Sequence, residues 1–433
     1  MTTWIRCDGL FDGEGMVDGA LVALEGERIT EVLPRGTASA AEVPSEEEVL
    51  HVPFLMPGLI DCHVHLEGYA EGSPAGAPFQ PVKSFLRLLI YNGVTTVRDV
   101  GNSLETIDYL RRWGEKFHST EVLSCGPVLD VPPLTWTFSR IVDAPEQIPR
   151  EIELLALEGI DFVKAEPNLS PELLEALVQA AGEHDLQVAC QPGRTSAVTA
   201  CELGVRSLER LEALVKSLGL ETSNLEPGSP AEEELLTALG GGTFVCPTLF
   251  AHHREGDLEA AREDPHLELM TTILPYHKYL QQMGGLFGKS AALDNLRPYL
   301  RQDPATTNGR PGRRALDDLT RRLAGANVPL VAGSGAPGTG VIPGFSLHHE
   351  LAALASAGLD PLTVLQSATS QAARLLQRED LGRIAPGAQA DLLLLNTDPT
   401  RDIASTLEIR EVFKRGHRVD REKTLGYVEA MLD

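Results

Sequence analysis

Between Met56 and Gln377, short apolar runs alternate with stretches whose apolar positions recur at helical spacing. The runs predict strands at 59–66, 94–100, 121–125, 160–165, 186–191, 205–209, 243–249 and 329–333. Eight strands separated by helices is the number that closes a TIM-like (β/α)8 barrel. The helices carry their own start signals. Ser170-Pro171-Glu172 supplies a capping hydroxyl, a first-turn proline and an acid ahead of Leu173, Leu174, Leu177 and Val178. Asp360-Pro361 starts another helix, with Leu362, Leu365 and Ala368 on one face. The ends of the chain read differently. Residues 20–33 form two apolar runs around Glu25-Gly26-Glu27, a hairpin pattern; 390–395 is a strand candidate, and 411–419 a second hairpin with Gly416 at its turn. The expected architecture is therefore α/β: a composite β-sandwich from 1–56 and 383–433, and a barrel over 57–382. The connection 250–328 is far longer than an ordinary strand-to-helix loop. A lid over the barrel mouth and a peripheral helical insertion both fit its composition.

Composition narrows the partners. The chain has 433 residues, 42% hydrophobic and 23% charged, and its 37 basic against 62 acidic residues leave a formal charge of −25. So acidic a surface argues against nucleic acid or anionic membrane as the main partner; a small-molecule substrate is expected, with self-association left open. No apolar run reaches the length of a spanning helix, and no basic segment leads into an apolar stretch at the N-terminus. Six scattered cysteines, none in a C-x-x-C pair, give neither a disulfide framework nor a thiolate zinc site. A cytoplasmic protein is expected.

The sharpest chemical motif is Pro57-Gly58-Leu59-Ile60-Asp61-Cys62-His63-Val64-His65. Residues two apart on a strand share a face, so His63 and His65 stand side by side at the end of the first barrel strand, where such barrels place their active sites. Two converging imidazoles are half of a zinc-type site; a pair of structurally hydrogen-bonded histidines is the plainer alternative.

This motif, together with Gly93-Val94-Thr95-Thr96-Val97-Arg98-Asp99 and the stretch Gly382-Arg383-Ile384-Ala385-Pro386-Gly387-Ala388-Gln389-Ala390-Asp391-Leu392, resembles the amidohydrolase superfamily, in particular the branch holding imidazolonepropionase and the prolidases with a carbamylated lysine. The resemblance spans essentially the whole chain and is far more specific for fold than for substrate. It implies two divalent metals. One is held by the H-x-H histidines and an aspartate after the eighth strand, the other by histidines after the fifth and sixth, with a carbamylated lysine bridging both. His63, His65 and Lys164 match. Gln191, Arg210 and Gly335 stand where histidine, histidine and aspartate are expected.

Arginine offers no lone pair to a metal and keeps its charge. The two-metal centre is therefore expected to be absent, with Arg210 pointing into the barrel against Glu166, Glu209 or Asp99. A Lys164–Glu166 or Glu209–Arg210 ion pair that merely fills the cavity is the bland alternative. The candidate catalytic residues are Lys164, His63, His65, Arg210 and Glu166; the candidate substrate contacts are Gln191, Arg98, His252 and His253. No cofactor is expected, or else one zinc on His63, His65 and Lys164. His348 and His349 read as a solvated helix face. The glycine-rich run 333–340 lacks the Lys-Ser/Thr ending of a phosphate loop and reads as a rim loop. Three functions stay open: metal-independent acid/base or nucleophilic catalysis on a small organic molecule, one-metal hydrolysis of an amide or lactam, and ligand binding without turnover.

Overall fold

The computed structural model describes residues 2–36, 49–66, 80–134, 136, 138–219, 227–256, 312–337 and 340–429. Strands from both ends of the chain share one eight-stranded sheet. From the N-terminal side come β1 (Thr2–Phe11), β2 (Met16–Val17), β3 (Ala20–Glu25), β4 (Arg28–Pro34) and β5 (Val49–Pro57). The expected hairpin is β3–β4, turning at Gly26-Glu27.

Next in the chain come β6 (Leu59–Val64), β7 (Val94–Asp99) and β8 (Glu121–Ser124), which form a three-stranded parallel sheet. A second parallel sheet holds β9 (Leu129–Asp130), β10 (Arg140–Ile141), β11 (Phe162–Ala165), β12 (Gln187–Cys190), β13 (Ser207–Glu209) and β14 (Phe244–Cys246). Their ladders do not run into one closed sheet. Isolated backbone bonds cross the seams instead: Asp161 N to Ser124 O at 2.9 Å, Val331 N to Val245 O at 3.0 Å, and Cys62 N to Ala332 O at 2.9 Å. The eighth predicted strand is accordingly not a ladder strand. It is an extended segment joined to its neighbours by the single bridges Val245–Leu330 and Val64–Ala336. Glycine explains this: a Cβ at Gly333 would lie 2.4 Å from Cys246 Sγ and 2.6 Å from His63 Cβ, and Gly335 bends the chain at φ +70°.

The C-terminal strands β15 (Leu392–Leu395), β16 (Ile409–Lys414) and β17 (His417–Arg418) return to the first sheet, where β15 pairs with β5. Its four leucines are all buried and alternate between two cores. Leu392 and Leu394 pack with Ile5, Val22 and Phe413 inside the terminal sheet, while Leu393 and Leu395 join the large core between barrel strands and helices. Around the barrel, the helix Pro171–Gly182 begins where predicted, with Ser170 capping Leu173 N, and Pro361–Ser367 is capped by Asp360.

The reading of His348 as solvated is corrected. It is 2% exposed in the helix Phe345–Ser356, with Nδ1 2.9 Å from Thr406 Oγ1 and Nε2 2.9 Å from the Asn92 carbonyl. Its helix is packed between the barrel and the turn Ile403–Leu407, so that face never meets water. Of the long connection, the helices Leu249–Gly256 and Arg313–Gly325 are described; a lid over 257–311 lies outside the described residues. No helix among the described residues is long and apolar enough to cross a membrane.

Candidate active site

The C-terminal ends of the barrel strands bring His63, His65, Arg98, Lys164, Glu166 and Glu209 together. His63 and His65 meet edge to face with ring centroids 5.2 Å apart. Glu209, fully buried at the end of β13, accepts hydrogen bonds at 2.7–2.8 Å from Arg98 Nη1, Ser207 Oγ and His63 Nδ1. Burial alone would raise its pKa, but Arg98 and then the imidazole hold it well below the usual carboxylate range. A carboxylate kept ionised must accept from His63, so Nδ1 carries the hydrogen and Nε2 carries the lone pair. That Nε2 is buried and has no partner among the described residues; the same is true of His65 Nδ1. Burial lowers the pKa of both histidines, and for His65 the neighbouring His63 lowers it further. His65 is also stacked on Trp136 (4.6 Å), which itself stacks on Phe138.

Lys164 donates to Glu166 Oε1 at 2.8 Å and to the Ala165 carbonyl at 3.3 Å. The Lys164–Glu166 pair is therefore the arrangement adopted, and the Glu209–Arg210 pair is not. Arg210 corrects a second expectation. It does not pair with Glu166, Glu209 or Asp99; its Nε and Nη2 donate to Glu212 Oε1 at 2.9 and 2.8 Å, with the side chain 22% exposed. The cause is backbone: Arg210 has φ +65°, which turns its side chain towards the first turn of the helix Leu211–Ser217. Asp99 instead accepts from Asn102.

The four candidate substrate contacts part company. Arg98 donates to Glu209 and Ser207 and lies 4.3 Å over the Phe162 ring. Gln191 sits half-buried just past β12. His252 lies 3.2 Å from Glu212 Oε2, and His253 lies 3.1 Å from Asp317 on the helix Arg313–Gly325. Sequence reading missed Glu212 and Trp136. Glu212 had a faint signal, an acid in the first turn of a helix just past a predicted strand; Trp136 had none beyond its proline-rich loop.

The amidohydrolase family model matches residues 54–419. The chain belongs to that family. An imidazolonepropionase from Anaeromyxobacter dehalogenans is 26% identical over 444 residues, 98% of this chain and 96% of that protein. Another, from Deinococcus deserti, is 39% identical over 117 residues, and the chain spans only 26% of its length. A crystal structure of a Xaa-Pro dipeptidase with bound methionine aligns over 97% of this chain and all of its own, with a TM-score of 0.71 at 20% identity, a likeness of fold. The TIM-barrel architecture is thus that of the amidohydrolases.

Amidohydrolases usually hold divalent metals, and the residues here fit such ions unevenly. The unpartnered nitrogens of His63 and His65 suit one cation. Around Lys164 the fit fails. Gln191 and Arg210 offer no imidazole, and a carbamate on Lys164 would set an anion against Glu166, 2.8 Å away. His63, Glu209 and Cys246 also bring donor atoms within 4.8 Å of one another. There burial raises the Cys246 thiol well above its ordinary pKa, and Arg98 already neutralises the carboxylate.

Proposed function

We propose that this amidohydrolase cleaves an amide-type C–N bond in a small organic molecule without a two-metal centre. The observation that carries the reading is the Glu209–His63 pair. Nδ1 is fixed by the carboxylate at 2.8 Å, while Nε2 is buried with its lone pair unpartnered among the described residues. This is the arrangement in which a carboxylate orients an imidazole as a general base. His63 Nε2 takes a proton from water, and the hydroxide oxygen attacks the acyl carbon. Two of the three ammonium hydrogens of Lys164 are used by Glu166 and Ala165, leaving the third for the developing oxyanion. Arg98 holds Glu209 ionised throughout.

One observation favours a second reading. The unpartnered nitrogens of His63 and His65 together suit a single divalent ion, which would polarise the carbonyl and acidify water. The test is a panel of simple amides, lactams and N-acyl amines assayed with His63→Gln and Lys164→Met. The first should lose at least about 100-fold in kcat, a typical general-base contribution, with KM little changed. An unaltered kcat in His63→Gln would reject the reading.

A further inference from the structure

The candidate active site lies at the C-terminal ends of the barrel strands. At the other end, the starts of β8 and β11 border a cavity of about 280 Å³. Arg111 and Glu115 of the helix Leu104–Lys116 form one wall, and Glu121 and Asp161 stand at the strand starts. Arg378 and the terminal-sheet residues Lys414 and Arg415 complete the lining.

The charges around this cavity do not cancel. Asp161 pairs with Arg111. The other ion pairs join into one network. Arg28 and Arg378 meet Asp380 at 3.1 and 2.9 Å, and Arg378 meets Glu121 at 2.7 Å. Lys414 meets Asp391 at 2.7 Å and Glu121 at 3.4 Å, while Arg415 meets Glu121 at 3.2 Å. Four cations thus share three carboxylates, a local positive excess in a chain whose formal charge is −25.

Arg415 has the loosest hold. Its guanidinium reaches Glu121 Oε2, the oxygen that Lys414 also approaches, and its Nε is buried with no hydrogen-bond partner among the described residues. Nor does the backbone call for arginine there. Arg415, at φ +49°, and Gly416, at +73°, are the two residues of the β16–β17 turn. Asn, Asp and Gly are the residues that favour such a turn.

We propose that this cavity binds a small anion, a molecule carrying a carboxylate or phosphate group, which Arg415 holds between the barrel and the terminal sheet. A guanidinium with unused N–H groups matches the oxygens of either group. The volume is at the low end for ligand pockets, which suits a compact acid. His118, exposed at the rim and stacked on His417 at 3.8 Å, adds an imidazole; Glu115, the exposed carboxylate of the lining, opposes the anion. The site is separate from the hydrolytic centre and does not depend on how that centre works.

Isothermal titration calorimetry with inorganic phosphate and with succinate, at ionic strength held constant with sodium chloride, tests this without turnover. Wild type should bind one equivalent. Binding of phosphate alone identifies a phosphate-bearing ligand, binding of succinate alone a carboxylic acid, and binding of both the shared chemistry. Arg415→Gln should weaken binding by at least about 10-fold. Glu115→Gln should strengthen it by about 3-fold, an effect that a purely structural ion-pair network would not produce. This second variant, at an exposed position, carries the test if Arg415→Gln does not fold. No saturable binding of either probe, equal affinity in Arg415→Gln, or unchanged or weaker binding in Glu115→Gln overturns the proposal.

Discussion

A carboxylate taken out of water must be repaid by partners, and Glu209 has Arg98, Ser207 and His63 within 2.8 Å. Removing it leaves the buried Arg98 guanidinium uncompensated. Glu209→Leu should therefore cost on the order of 3–5 kcal/mol, read by urea denaturation. The double variant Arg98→Met/Glu209→Leu should recover part of that loss. Arg210→Met should be milder, about 1–2 kcal/mol, since its side chain is partly exposed and Glu212 keeps His252 beside it. A loss near 4 kcal/mol would mean that Arg210 does carry the buried charge balance. His63, His65 and Lys164 were legible because a motif fixes them to strand ends. The direction of Arg210 was not, because it depends on a left-handed backbone turn that residue type does not announce. Glu212 stayed hidden for the same reason: its importance comes only from where Arg210 points.

The loop at 331–337 and the helix Leu249–Gly256 are complementary. The loop is thin because it is glycine-rich, and the helix closes against it through Ala251. Gly335→Asp should thus fail to rebuild a ligand. It should destabilise the protein by roughly 1–2 kcal/mol for a side chain in left-handed geometry, and metal content by elemental analysis should not rise. A rise of one bound ion per chain with unchanged melting would contradict the packing argument. Seven of the eight predicted barrel strands appear with ends trimmed by a few residues, since an apolar run marks a buried strand more clearly than its limits. The eighth did not form a ladder because the same glycines that admit it between β14 and β6 bend it out of register. The buried His348 was misread for a related cause. Helical position alone cannot reveal that the turn Ile403–Leu407 covers that face.

At the scale of the molecule, the terminal sheet is tied to the barrel through Glu121 at the start of β8. Glu121 meets Arg378 at 2.7 Å, Arg415 at 3.2 Å and Lys414 at 3.4 Å, and Lys414 also meets Asp391 at 2.7 Å. Burial would raise Glu121, but Lys414 and then the two arginines bring it from its ordinary 4.5 down to about 2. A depressed carboxyl contributes stability above the unfolded pKa and loses it as pH falls through the folded one. The fold should therefore weaken between about pH 4.5 and 2, by on the order of 3 kcal/mol from this group. Glu121→Gln should flatten the acid limb of a melting-temperature profile; an unchanged limb would place the acid sensitivity elsewhere. That both chain ends build one sheet was readable from two hairpin patterns flanking a barrel-like middle. The ionic contact between sheet and barrel was not, because its members are more than 250 positions apart.

The proposed hydrolysis works without a two-metal centre. Elemental analysis of the purified protein, paired with hydrolysis before and after dialysis against a chelator, tests this most directly. The expected result is fewer than two transition-metal ions per chain and turnover that survives their removal. Two stoichiometric ions, with Lys164 carrying carbon dioxide and activity lost on chelation, would contradict it.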